Sequence, residues 1–357
     1  MLTYLHLTFF INVLTILFHL RSVSVIILGI ESSCDDTSAS ICENGKILSN
    51  IIASQSIHEA WGGVVPELAS RAHQQNIVPV IDAAIKQSGK NLSDIDAIAF
   101  TKGPGLIGSL LVGNAFAKGL SLTLNVPLIE INHMEAHILA HFIDANPSFP
   151  FLCLTVSGGH TQLVLVEDYN AMKVIGETID DAAGEAFDKT SKMLGLPYPG
   201  GPLMDKLAKE GNALAFKFAS PKAPDLNFSF SGLKTSVLYF LQAEQKKNAA
   251  FVQENLNDLC ASIQHSIVEI LMKRLKEAVA QTGVSGIALA GGVSANSYLR
   301  ERFKLYAEES SLQCFIPKFE YCTDNAAMIA IAGFKKYERQ EFSSLENEPV
   351  ARWKIGS

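Results

Sequence analysis

The chain has 357 residues, 48% of them hydrophobic and 18% charged, with a formal net charge of −7. That size suits one large domain or two of ordinary size, and the acidity makes a poor binder of naked nucleic acid unless a local basic patch or a basic partner helps. Six scattered cysteines, with no C-x-x-C pair, exclude a zinc ribbon or a disulfide scaffold and fit a reducing compartment.

Residues 1–20 are nearly all apolar, interrupted by His6, Asn12 and His19 and followed by Arg21. The stretch could span a bilayer, but it lacks the basic start and small-residue cleavage site of a secretory signal. It reads either as a membrane anchor or as an extension from a start codon assigned too far upstream.

An apolar strand over 26–30 then runs into the small polar turn Ser32-Ser33-Cys34-Asp35-Asp36. A Thr-led strand, 37–41, leaves it, and a turn at 43–46 opens a third strand, 47–53. Hydroxyls and backbone amides in such a turn can hold an anion; taken alone, an ordinary Ser/Asp turn is the favoured account. A helix is predicted over 66–86 and a strand over 95–100. The Gly-rich loop 103–109 opens an apolar helix, 110–124. It lacks the Lys of a P-loop, and close helix packing explains its glycines as well.

A strand over 126–131 passes into a helix carrying His133-Met134-Glu135-Ala136-His137. His133 and His137 stand at i and i+4, share one face, and can point at one metal ion; two merely polar helix residues are the equal alternative. In the zinc-protease pattern the Glu directly follows the first His. Here Met134 holds that place, and Glu135 lies about 200° round the helix from His133. A metal site survives this comparison and a protease base does not.

The second half repeats the first. Strand 151–156 leads into the tight turn Ser157-Gly158-Gly159-His160, a Thr-led strand 161–166, another turn, and a strand over 172–175. Gly158 and Gly159 let a backbone approach a phosphate closely. A duplication with paired phosphate-type turns is more specific than either turn alone. Asp180 is expected to cap a following helix, with Asp181, Glu185 and Asp188 along one face. That face is either solvated or a hydrogen-bond acceptor for a ribose or a substrate amine. A Pro/Gly loop over 197–202, an aromatic-polar loop over 227–234 and a long amphipathic helix over 255–281 follow. Strand 287–290 runs into Gly291-Gly292-Val293-Ser294-Ala295-Asn296, where a nucleoside can lie against backbone. After a strand at 314–317, Thr323 or Asp324 begins the last apolar helix. Asp324 reads as a helix cap or, beside two histidines, as the third ligand of a His-His-carboxylate site with open positions, suited to Fe(II) or Zn. Residues 339–357 are polar and expected to be loosely ordered.

Several of these segments, in this order, resemble the TsaD family, the transferases that make threonylcarbamoyladenosine in tRNA. They are 28–37 (LGIESSCDDT), the His133/His137 pair, 156–161 (VSGGHT), 180–189, 291–296 and Cys322-Thr323-Asp324-Asn325. The resemblance spans about residues 26–335, and 228–234 (FSFSGLK) is similar to the bacterial and organellar form; residues 1–24 have no counterpart. It implies an α/β chain with the duplicated actin-like ATPase (ASKHA-type) fold, two similar lobes and a cleft between them. The N-terminal lobe is expected over 25–145 and the C-terminal lobe over 146–340, its last helix packing back on the first, before a polar tail at 341–357. The implied donor is threonylcarbamoyl-AMP, made by a separate enzyme. The implied acceptor is the exocyclic amine of the adenosine at position 37 of tRNAs reading codons that begin with A, with AMP released.

By the same resemblance, His133, His137 and Asp324 bind one divalent metal per subunit, Fe(II) ahead of Zn. Thr155, Val156, Ser157, Gly158, Gly159, Asp188, Gly201 and Asn296 contact the donor. Implied partners are tRNA, a catalytically silent TsaB-like paralogue and a TsaE-like ATPase, with a homodimer as another assembly, no membrane partner and a cytoplasmic setting. The chemistry needs no Ser or Cys nucleophile, and no general base is assigned. The rival readings are a sugar-kinase-like ATPase of the same fold and a metalloprotease, the latter opposed by the position of Glu135.

Overall fold

A computed structural model describes residues 24–55 and 63–357. The apolar stretch over 1–20, read as an anchor or an upstream extension, lies outside the described residues. The rest folds around two five-stranded sheets. The first holds β1 (Ile26–Glu31), β2 (Thr37–Glu43), β3 (Lys46–Ala53), β4 (Ala97–Gly103) and β5 (Leu128–Asn132), in the order β3-β2-β1-β4-β5. The second holds β6 (Phe151–Val156), β7 (Thr161–Asp168), β8 (Ala171–Glu177), β9 (Gly286–Ala290) and β10 (Gln313–Phe315), in the order β10-β9-β6-β7-β8. In each sheet the first three strands form an antiparallel meander, and the fourth and fifth add on the other side in parallel. The two wirings are identical, so the repeat seen in the sequence is a duplicated fold of the actin-like ATPase type.

Parallel strands need crossovers, and the helices supply them. In the first lobe these are α1 (Pro66–Ser88) and α2 (Ile107–Leu124), followed by α3 (His133–Leu139). In the second, α4 (Ala183–Met193), α5 (Gly200–Ala208), α6 (Ser231–Lys247), the single turn α7 (Phe251–Glu254) and α8 (Leu256–Thr282) lie between β8 and β9. Helix α9 (Ser297–Glu309) links β9 to β10, and α10 (Ala326–Glu338) closes the series. By length and composition α2 could cross a membrane. Its Leu110, Gly113 and Ala117 are nonetheless buried, and it packs on α1 and β4.

Three apolar clusters hold the molecule together. One lies under α1 and α2, and one is built largely around α8. The third joins the lobes. It draws Ile27, Ala99 and Ile129 from the first sheet, Phe151, Cys153 and Ala288 from the second, and Met134, Ile138, Met328 and Ile331 from α3 and α10. Helix α10 packs against β1, β2 and β4. A Cβ at Gly29 would sit 2.6 Å from the Ala326 carbonyl oxygen, so that close approach requires glycine. Helix α3 touches β6 and β9 of the second sheet as well as α10. The histidine pair therefore rides on an element wedged between the two halves.

Three expectations are corrected. Asp180 does not cap the helix that follows it; α4 begins after Ala182 with no side-chain cap. Its carboxylate instead accepts the Phe230 amide (2.8 Å), the Ser231 amide (3.3 Å) and the Ser229 hydroxyl, at the start of α6. Asp324 does not start the last helix, because Asn325 caps it by accepting the Met328 amide. Finally, the C-terminal tail is tied down. Ser343 donates its amide to Leu128 O and Val350 to Lys102 O (both 2.8 Å), Gly356 donates to Glu135 Oε1 (3.0 Å), and Ile355 enters the inter-lobe cluster. Backbone groups do most of this tethering, which is why a polar composition concealed it.

Candidate metal centre and nucleotide cleft

Strand β5 ends on Asn132, whose side-chain oxygen accepts the Met134 and Glu135 amides at 2.9 and 3.3 Å. That cap starts α3 at His133, so His133 and His137 stand one turn apart on one face. Glu135 turns away from them, toward the tail. Asp324 comes from 187 residues further on. Because Asn325 takes the capping role, the Asp324 carboxylate is left to point at α3. Its Oδ1 lies 3.3 Å from His133 Nε2 and 3.2 Å from His137 Nε2. The two imidazole rings stand nearly perpendicular, with centroids 4.7 Å apart.

Burial opposes ionisation of Asp324, but His133 and His137 outweigh it and hold the carboxyl well below the usual carboxylate range. Burial likewise opposes a charged His133, and the Asp324 and Glu31 carboxylates raise it well above an ordinary histidine. The three donor atoms lie within 4.8 Å of one another, and among the described residues no other three His, Cys, Asp or Glu are so grouped. Two imidazole nitrogens and one carboxylate oxygen at that spacing fit a divalent ion with bonds of about 2.0–2.2 Å and open positions beside it.

The second feature is a cavity of about 280 Å³ in the second lobe. It brings together Gly158, Asp188, Gly201 and Asn296, with Gly184, Asp205 and Gly292 also in its wall. Asp188 Oδ1 accepts the Gly200 and Gly201 amides at 3.0 and 3.4 Å. Burial raises its carboxyl above the ordinary range, and those amides only partly offset it. Asn296 caps α9 through Leu299 N (2.9 Å) and donates to Gln264 Oε1 (2.7 Å). Gly291, the residue before Gly292 of the wall, has φ +86, and a Cβ there would lie 2.4 Å from Val156 O, so this turn requires glycine. Thr155 and Val156 are buried in β6 outside the cavity wall, whereas Gly158 and Gly159 form an exposed turn tip. The acidic face expected of α4 does not exist as a unit. Asp181 precedes the helix and pairs with Lys189 and Lys234, Glu185 pairs with Lys189, and only Asp188 borders the cavity.

A model of the TsaD family, described as tRNA N6-adenosine threonylcarbamoyltransferase, matches residues 46–331. This chain belongs to the TsaD family. A relative from Christiangramia forsetii named tRNA N6-adenosine threonylcarbamoyltransferase is 62% identical over 333 residues, covering 92% of this chain and 98% of that protein. A relative of the same name from Cytophaga hutchinsonii is 55% identical over 337 residues, covering 94% and 98%. Among solved structures, full-length HypF in a phosphate- and nucleotide-bound form superposes with TM-score 0.60 at 13% identity, over 89% of this chain and 47% of that one. Component A of the Acidaminococcus fermentans (R)-2-hydroxyglutaryl-CoA dehydratase gives 0.53 at 15%, over 88% and 100%. These two likenesses speak for the fold.

Against the TsaD frame, three residues stand out that sequence reasoning passed over. Asp205 borders the cavity and accepts the Ser297 amide (3.2 Å) and hydroxyl (2.9 Å), tying α5 to the start of α9. His160 closes the turn of the second lobe. Burial and then the His133 and His137 charges push it below an ordinary histidine. Glu31 ends β1 in contact with His133 (3.0 Å). A signal for Glu31 was present: it is the one charged residue in the otherwise apolar strand Ile-Ile-Leu-Gly-Ile-Glu.

Proposed function

We propose that this chain transfers the threonylcarbamoyl group from threonylcarbamoyl-AMP to N6 of the adenosine at position 37 of tRNAs reading codons that begin with A, releasing AMP. One observation carries the reading. Helix α3, which bears His133 and His137, packs on β6 and β9, and the turns that leave those two strands supply Gly158 and Gly292 to the wall of the Asp188/Asn296 cavity. A bound acyl-adenylate can lay its nucleoside in that cavity and bring its acyl-phosphate end round the turn to the trio. Asp188 and Asp205 offer acceptors to ribose or adenine donors, and the exposed Gly158-Gly159 tip allows close approach of the phosphate. Thr155 and Val156 hold that tip in place from β6, and Ser157 holds it through its bonds to His160.

His133, His137 and Asp324 would hold one divalent ion, Fe(II) or Zn. When bound, it supplies Lewis-acid polarisation of carbamoyl or phosphate oxygens. The amine N6 attacks the carbamoyl carbon and a C–N bond forms. The bond from that carbon to the AMP phosphate oxygen breaks, AMP leaves with the electron pair, and the N6 proton passes to solvent. AMP is a good leaving group, so the main tasks are alignment and stabilisation of developing charge. The net charge of −7 suits help from a partner in holding tRNA. A TsaB-like paralogue, a TsaE-like ATPase and a cytoplasmic setting complete the proposal. The test supplies threonine, bicarbonate, ATP, unmodified tRNA and the partner enzymes, with and without this protein. Threonylcarbamoyladenosine in the tRNA digest should depend on its addition; equal amounts without it would sink the reading.

A further inference from the structure

We infer that Glu31 is a positioning residue for the metal centre: it fixes the His133 ring and so chooses which ring nitrogen faces the ion. The inference rests on reading His133, His137 and Asp324 as that centre. Glu31 is the last residue of β1 and fully buried. Its Oε2 accepts the Thr101 hydroxyl at 2.6 Å and lies 3.0 Å from His133 Nδ1; its Oε1 accepts the Ser33 amide. The Ser33 hydroxyl is 3.2 Å from the same Nδ1. An ionised carboxylate only accepts hydrogen bonds, so Nδ1 must carry the hydrogen that meets it. In the neutral ring that can take a metal ion, the lone pair is then left on Nε2, the nitrogen that faces Asp324. Ligating histidines are commonly held in this way through their second nitrogen.

Two internal controls argue that this arrangement belongs to the site and not to the fold. The corresponding last residue of β6, in the identically wired second sheet, is the apolar, fully buried Val156. The fold therefore does not call for an acid at this strand end. The other histidine is the second control. His137 Nδ1 is buried with no hydrogen-bond partner, so packing and the Asp324 carboxylate at Nε2 orient that ring, and no second carboxylate holds it from Nδ1. The two ligands are inequivalent: a buried carboxylate holds His133 through its second nitrogen, and none holds His137 in that way.

The test titrates the full-length, metal-free protein with Zn(II) against a chromophoric chelator, for wild type, His133→Ala, Glu31→Gln and Thr101→Val. Thermal melting of each metal-free protein is followed in parallel. Glu31→Gln keeps the shape but can present an N–H to Nδ1, favouring the tautomer that places hydrogen on Nε2. It should bind Zn(II) about 10–100-fold more weakly, with a metal-free melting temperature close to wild type. Thr101→Val, which only loosens Glu31, should fall between. Wild-type affinity in Glu31→Gln overturns the inference while leaving the metal centre standing. An affinity loss accompanied by a matching collapse in melting temperature shows a structural role and overturns it too. If wild type binds no tighter than His133→Ala, the metal centre fails and this inference with it.

Discussion

The two lobes share one wiring but have spent their first turns differently. In the N-terminal lobe the turn after β1 is knitted into its surroundings. Leu106 donates its amide to Ser33 O (2.7 Å), Ser109 donates its hydroxyl to Cys34 O (3.0 Å), and His73 Nε2 contacts the same carbonyl at 3.0 Å. Glu31, Ser32 and Ser33 are all buried. In the C-terminal lobe the turn after β6 is held by its own Ser157–His160 bonds and by Gly184 N to Ser157 O (3.2 Å), and its glycine tip is exposed. One turn is a rigid wall behind a histidine; the other presents backbone to an open cleft. A duplicated fold thus yields two unlike half-sites, and the chemistry is proposed to lie where they meet, at α3.

The strongest way to break this comparison is to remove what joins the halves. Asp324→Ala should abolish stoichiometric metal and lower threonylcarbamoyl transfer by more than the roughly 10–100-fold that loss of an outer partner brings. Far-UV circular dichroism should stay unchanged, because Asn325 still caps α10. Metal content like wild type, by atomic emission, would falsify the ligand assignment. A second variant moves the acid across the pseudo-symmetry. Val156→Glu places a carboxylate at a fully buried, apolar strand end. It should destabilise by several kcal/mol, as a buried unpaired charge does, read as a shift of the urea midpoint at constant slope. A midpoint within error of wild type would show that the two strand ends are interchangeable after all.

Most of the frame was legible because it repeats. Strand, small polar turn, Thr-led strand, turn and strand occur twice, and an apolar run of period two or less is hard to mistake over so many segments. The site was legible unevenly. His133 and His137 declare themselves by spacing, but Asp324 competes with a helix-cap reading, and only the structure shows that the next residue, Asn325, is the cap. Asp180 shows the same ambiguity in reverse. It looks like a cap for the helix after it, yet it binds amides 50 and 51 residues away. Cap residues are recognised by local chemistry, and local chemistry does not say which helix end they serve. The tail was missed because its anchors are backbone groups, which composition does not encode.

The gentlest test falls on the open side of the comparison, at Asp188. Burial raises its carboxyl above the usual range even though two amides oppose the shift. Between the unfolded and folded pKa values the native state holds a proton that the unfolded chain has released, so stability falls as pH rises through that window. Above the folded-state pKa the group is ionised and the cost of burying the charge is fully present. Asp188→Asn removes that charge while its amide oxygen can still accept the Gly200 and Gly201 amides. The variant should therefore melt slightly higher than wild type on the alkaline side of that window, and the difference should shrink as pH is lowered through it. If the carboxylate holds a ribose or adenine donor, the same variant should bind a non-reactive donor analogue about tenfold more weakly, since a charged hydrogen bond contributes more than a neutral one. Calorimetry on one protein preparation gives both numbers. A higher melting point with unchanged donor affinity would place Asp188 in the scaffold of the cavity and leave Asp205 as the acid that meets the nucleoside.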